Sequence, residues 1–189
     1  MTPPQSLLGV LRRQHAHIEA MTSRVLDVEG PARTEAVVDL LRYLALHESA
    51  EQTFMRPPGL VTSGGTAAAR ARVAHEREIE AVIVNLETAH PESVDFLIYF
   101  GLLEEALRSH TRVEEEVEVP ILGGSLPPHE LERIAHQVGL VDAWMDPAMH
   151  SIDGSVARLP WTVGPHPHVR FGDLRQKSLE AFEAVARMR

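Results

Sequence analysis

Two His-to-Glu pairs, set where hydrophobic side chains belong, constrain this chain more than any other feature. His47-Glu48-Ser49-Ala50-Glu51 and His110-Thr111-Arg112-Val113-Glu114 each space an imidazole and a carboxylate four residues apart. On a helix that spacing puts both groups on one face, one turn apart. The faces are otherwise apolar: Val37, Leu40, Leu44, His47, Glu51 and Phe54 in one segment, Leu103, Leu107, His110, Glu114, Val117 and Ile121 in the other. A carboxylate on a buried stripe needs a partner, because an unpaired buried charge is very costly. An imidazole beside a carboxylate is a donor set that iron or manganese accepts. A third copy, His15 to Glu19, shows that the spacing alone is cheap. Position on the stripe and duplication carry the argument.

The duplication extends beyond the pairs. Pro57 follows Glu51 by six residues and Pro120 follows Glu114 by six. Each pair is preceded by a segment of helical periodicity that offers one inward histidine. His15 lies on the stripe Leu8, Leu11, His15, Ile18, Thr22, Val25. His75 lies on the stripe Ala68, Arg72 or Ala71, His75, Ile79, Val82, Leu86. A repeat that recurs in the polar residues of a core is hard to explain by packing.

In chain order, Ser6 is placed to cap a first helix that ends at Glu29-Gly30-Pro31. Thr34 is a candidate cap for the second helix, which stops before Pro57-Pro58-Gly59, with a loop over Val61 to Gly65. The third helix starts near Thr66 and ends at His90-Pro91; the fourth opens at Ser93 and ends at Pro120, with a break at Gly123-Gly124-Ser125. The expected fold is all-α, an antiparallel up-down four-helix bundle over residues 1–122. Residues 123–189 read as a C-terminal helical extension packed outside it. There a fifth helix runs from Pro127-Pro128 to about Trp144. Asp146 to Gly172 is irregular and proline-bearing, and Asp173 caps a last helix with Leu174, Ser178, Phe182 and Val185 on one face.

In such a bundle Glu51 and Glu114 meet at the centre and can bridge two cations, with His15, His47, His75 and His110 at the ends. Glu48 is an additional candidate ligand. Glu19, Glu115, Glu116 and Glu118 read as solvated charges. His17 falls on the outer side of the first helix. Tyr43, one turn before His47, either hydrogen-bonds within the site or packs. His166 and His168, between prolines, read as a surface loop.

Composition narrows the function classes. The chain has no cysteine, which removes thiolate metal sites, disulfides and cysteine nucleophiles and suits a cytoplasmic setting. A formal charge of −9 argues against general nucleic-acid binding. No signal segment or membrane-length apolar run is present in the sequence. With mixed nitrogen and oxygen donors and no thiolate, iron is the expected metal.

The set LRRQHAHI around His15, HESAEQTFMRP from His47, AHEREIEAV around His75 and HTRVEEEVEVPIL from His110 resembles the hemerythrin-like, or HHE cation-binding, family over about residues 7–122. GPHPH at 164–168 is similar to the Pro-His tail of bacterial members. The resemblance implies a centre of two iron ions, oxo- or hydroxo-bridged, with manganese or zinc as possible substitutes. Carried over by position, its ligands are His15, His47, Glu51, His75, His110 and Glu114, both glutamates bridging. The HExxE form at His47, Glu48 and Glu51 is similar to iron-sensing F-box hemerythrin-like domains, in which the middle glutamate also ligates. Ile79 stands where oxygen carriers of the family have a second third-helix histidine, and HxxxE replaces their HxxxxD on the fourth helix. Both departures speak against reversible oxygen carriage. The implied activity is reaction with O2, peroxide or nitric oxide in oxidative or nitrosative stress defence. The alternatives are an iron- or oxygen-sensing module and a di-iron oxygenase or oxidase acting on an organic substrate.

Overall fold

The computed structural model describes residues 6–61, 65–145 and 170–187, and among these every regular element is helical. Helix α1 spans Leu7–Asp27 and starts as its sequence dictates: the Gly9 N–H donates to the Ser6 side chain at 3.1 Å. Two residues later α2 (Gly30–Phe54) begins. Gly30 turns the chain with φ +58°, a conformation that favours glycine, and Pro31 fits the first turn. The second helix therefore starts four residues before Thr34. Arg33, in its first turns, is buried and donates to the backbone carbonyls of Val25, Val28 and Pro91. It ties the α1–α2 turn to the turn at Pro91-Glu92, where Glu92 also accepts from the Gly30 N–H at 2.7 Å.

Pro57 and Pro58 do not open a loop. They sit in the first turn of a short helix, α3 (Arg56–Val61), where a missing N–H costs nothing. Helix α4 covers Gly65–Leu86 and ends before His90-Pro91. Ser93 caps α5 (Val94–Val113), accepting from the Phe96 N–H at 3.1 Å.

The helix that begins at Val94 does not stop at Pro120 as expected. It widens into one π-helical turn, Glu114–Glu118, and continues as α6 (Val119–Ser125) with Pro120 in its first turn. Gly123 and Gly124 are helical, and the break comes at Leu126-Pro127. The expected fifth helix is two pieces, α7 (Pro128–Val138) and α8 (Leu140–Met145), parted at Gly139. The last helix, α9, spans Phe171–Arg187; Asp173 lies inside its first turn and is not its cap. The expectations for Val61 to Gly65 and for Asp146 to Gly172 largely, and that for His166 and His168 wholly, fall on residues outside those described.

The four long helices, α1, α2, α4 and α5, form the bundle. Contacts between early α1 and late α2 (Gln14 with His47) and between late α1 and early α2 (Val25 with Arg33) make that pair antiparallel. The core runs from Leu11, Leu40, Leu44, Phe96 and Phe100 to Ile79, Ile83 and Leu103. The α7 helix lies against α1 and α2, and α9 lies along α2 with Leu174, Ser178 and Phe182 buried. Phe182 stacks on Trp144 of α8 at 4.3 Å between ring centroids and meets Phe54 of α2 edge-on at 5.6 Å. No helix among the described residues is long and apolar enough to cross a membrane.

Candidate metal centre

The bundle brings together ligand atoms from helices α1 and α2 and the π turn. His15, His47, Glu51 and Glu114 are all buried and offer one ligand atom each within 4.8 Å of one another. The His15 Nε2 lies 3.0 Å from Glu114 Oε2, and the His47 Nε2 lies 3.1 Å from Glu51 Oε1. None of these four atoms is satisfied by a well-directed hydrogen bond.

The second nitrogen of each ring explains why. Gln14, buried in α1, donates its amide to the Val138 carbonyl at 3.1 Å, which turns its own oxygen toward His47. The His47 Nδ1–H donates to that oxygen at 3.0 Å. A neutral His47 then presents an Nε2 lone pair to a carboxylate oxygen, so that either a carboxyl proton or a cation must lie between the two. Such an arrangement is what a cation between them requires. His47 is indeed held well below the ordinary imidazole range, by burial first and then by the positive charge of His15. His15 has a carboxylate on each side, its Nδ1 facing Glu115 Oε1 at 2.8 Å. Burial lowers its pKa, but the hydrogen bonds and charges of Glu114, Glu51 and Glu115 outweigh this and raise it to about 9. A cation at Nε2 would take the place of that proton.

A second cluster shares Glu51. Glu48, Glu51 and His110 bring one ligand atom each within 4.8 Å, with the His110 Nε2 at 3.6 Å from Glu48 Oε1 and 3.8 Å from Glu51 Oε2. Neither Glu48 oxygen has a hydrogen-bond partner among the described residues. Burial pushes the Glu48 carboxyl up to about 7. His75 belongs to neither cluster. It is half-buried, with its ring edge-on to His110 at 6.4 Å between centroids and its Nδ1 unpartnered. The inward stripe of α4 is Arg72, Glu76, Ile79, Ile83 and Leu86, so the face expected from His75 and Val82 is rotated by part of a turn.

That rotation puts Arg72 at the centre. Its side chain is 2% exposed and touches three carboxylates. Nη1 donates to Glu51 Oε2 at 2.9 Å, Nη2 to Glu114 Oε1, and Nε to Glu118 Oε2 at 2.7 Å. Glu118 was expected in solvent. The π turn moves it inward, because about 4.4 residues per turn carry position 118 to the face that position 117 holds in an α-helix. Val117 is accordingly 44% exposed. Burial and repulsion from Glu114 push Glu51 well above the ordinary carboxylate range. At Glu114 burial acts the same way but is outweighed by Arg72 and His15, which hold it well below.

The remaining expected residues stand apart. Glu19 and His17 are exposed, and the Tyr43 hydroxyl donates away from the centre, to Asp142 Oδ1 of α8 at 2.9 Å. Glu115 is not a free surface charge; it bonds His15 and, at 2.9 Å, Arg12. Three participants escaped the sequence reading: Gln14, Glu76 and Arg72 in its ion-pairing role. Glu76 is buried between Arg56 at 2.6 Å and Arg175 at 3.0 Å. A buried stripe carrying Arg72 and Glu76 four residues apart was the signal available for the last two.

A cleft of about 490 Å³ opens between α1 and α5 and reaches the centre at His15 and Glu115. Its lining includes the buried Ile18 and Leu107 and the more exposed Arg12, Arg108, Arg112, Glu104 and Glu116. The centre meets the cleft through the edge of one imidazole, His15 being 7% exposed, which suits a ligand of a few atoms.

The family model described as the hemerythrin HHE cation binding domain matches residues 6–122. No curated protein and no solved structure matches the chain.

Proposed function

Since the chain belongs to the hemerythrin HHE cation-binding family, we propose that its buried His and Glu clusters hold iron and that the protein reacts with O2, peroxide or nitric oxide as a stress-defence protein of the cytoplasm. The observation that carries this reading is an imidazole lone pair, His47 Nε2, facing Glu51 Oε1 at 3.1 Å with the far side of the ring already engaged by Gln14. The donor set fits: the orphaned atoms are imidazole nitrogens and carboxylate oxygens, with no thiolate in the chain.

His15, His47, Glu51 and Glu114 would hold one ion. Glu48, Glu51 and His110 would hold a second, with His75 the nearest further imidazole. Bound iron supplies one-electron redox chemistry and an electrophilic site for a diatomic or peroxide ligand. The protein groups do the rest. Gln14 fixes the tautomer of His47, and Glu115 orients His15 from behind. Ile18 and Leu107 keep the inner cleft apolar, and Arg12, paired with Glu115 at the mouth, limits what enters.

The test is expression with ample iron, metal analysis, and absorption spectra before and after air, peroxide and nitric oxide. The expected result is iron bound in wild type, lost in His47→Ala, with spectral change and peroxide consumption that follow the metal. Bound iron inert to all three would overturn the reaction, and no bound metal would overturn the site.

A sensing role is favoured by a different observation. Residues outside the family-matched segment reach into the bundle: the Val138 carbonyl holds Gln14 behind His47, and Arg175 of α9 pairs with the buried Glu76 of α4. If the protein senses iron, removing metal should raise protease sensitivity of residues 123–189 ahead of the bundle.

A further inference from the structure

We propose that the Arg72 guanidinium is a built-in counter-cation for the second metal position, so that the centre takes one ion tightly and a second only by displacing this side chain. The inference rests on the metal-binding reading above and adds an inequality between its two positions.

A cation in the first cluster would be held by Glu51 Oε1 and Glu114 Oε2, the oxygens facing His47 and His15. The other oxygen of each carboxylate, Glu51 Oε2 and Glu114 Oε1, is what a bridging carboxylate would give a second cation. Arg72 donates to both, through Nη1 and Nη2. A planar guanidinium spans two carboxylates as a metal ion would, and at neutral pH it cannot lose its charge. The His15 and His47 side of the pair is left open, while the His110 and Glu48 side is the one that must share Glu51 with Arg72.

Charge points the same way. Glu48, Glu51, Glu114 and Glu118 surround the centre. One divalent ion together with Arg72 brings three positive charges to these four carboxylates. A second divalent ion beside a retained guanidinium would crowd two like charges onto the same oxygens of Glu51 and Glu114, where repulsion is poorly screened. Displacement has a landing place: Glu118 lies in neither cluster and holds Arg72 by Nε at 2.7 Å, so the guanidinium can release Glu51 and Glu114 and keep a partner.

The experiment is anaerobic titration of metal-free full-length protein with Fe(II), and in parallel with Co(II), followed by desalting and metal analysis. Wild type should retain about one ion per chain through desalting, with a second binding step at least tenfold weaker. Arg72→Met should tighten the second step by tenfold or more. Its metal-free form should also melt earlier than metal-free wild type, by a margin that shrinks when both are loaded. A merely structural ion pair would lower melting equally with and without metal, and that outcome overturns the proposal. Two ions of equal affinity in wild type overturn it as well, while leaving the metal-binding reading intact. No retained metal in any variant defeats that reading and the proposal with it. Should Arg72→Met not fold, Arg72→Lys keeps the charge but not the two-carboxylate fork. It should bring the two steps closer together than in wild type, and unchanged steps overturn the proposal.

Discussion

Gln14 Oε1 sits 3.0 Å from His47 Nδ1, and this contact decides which nitrogen of the ring faces Glu51. The amide is oriented in turn by the Val138 carbonyl of α7, so a residue outside the family-matched segment fixes the tautomer of a proposed ligand. Gln14→Leu removes the acceptor, leaving His47 free to take the other tautomer or rotate. Metal affinity should fall roughly 10–100-fold, as for losses of ligand-orienting partners elsewhere, and circular dichroism should stay helical. Titration with Co(II) checks it; unchanged affinity would show that His47 is positioned by packing alone.

Metal removal should destabilise the bundle. Without a cation, Glu48 keeps no hydrogen-bond partner among the described residues and four carboxylates stay crowded in the interior, a cost that binding relieves. Chelated protein should melt below the loaded form, and Glu114→Ala should erase most of that gap. Coincident melting curves for loaded and chelated wild type would mean that the cluster needs no cation.

Phe182 joins α8 and α9 to the bundle by two ring contacts. Phe182 is fully buried between Trp144 and Phe54. Phe182→Ala should cost about 3–5 kcal/mol, the range for a buried phenylalanine, and expose Trp144, visible as a red shift in tryptophan emission. Retention of wild-type stability would show that α9 contributes little to the fold.

The π turn makes a register prediction. Val117 points out and Val119 points in. Val117→Glu should change stability by no more than about 0.5 kcal/mol. Val119→Glu buries an unpaired carboxylate and should be far more damaging. An unbroken α-helix would turn position 117 inward, and the two variants would then come out with comparable losses in urea unfolding.

Local rules were legible in the chain itself. Ser6 and Ser93 cap helices because a hydroxyl next to a free N–H needs only its own neighbours. The stripes of α1 and α2 put His15, His47 and Glu51 inside because period and apolar content agree there. Helix ends near proline were less readable: Pro57, Pro58 and Pro120 each fall in a first helical turn, where proline is as comfortable as in a loop. Packing between helices decided the rest. The rotation of α4 chose Arg72 over Ala71, and Glu76 and Ile83 over His75 and Val82, since either face offers a workable stripe and only the carboxylates of α2 and the π turn discriminate between them. Glu118 turned inward for the same reason, drawn to a guanidinium 46 positions away in sequence. Gln14, an ordinary polar residue on its own helix, became a ligand's support only when α7 and α2 closed on both ends of its amide. Periodicity reads one helix at a time; the donors and acceptors that complete this centre come from three or four.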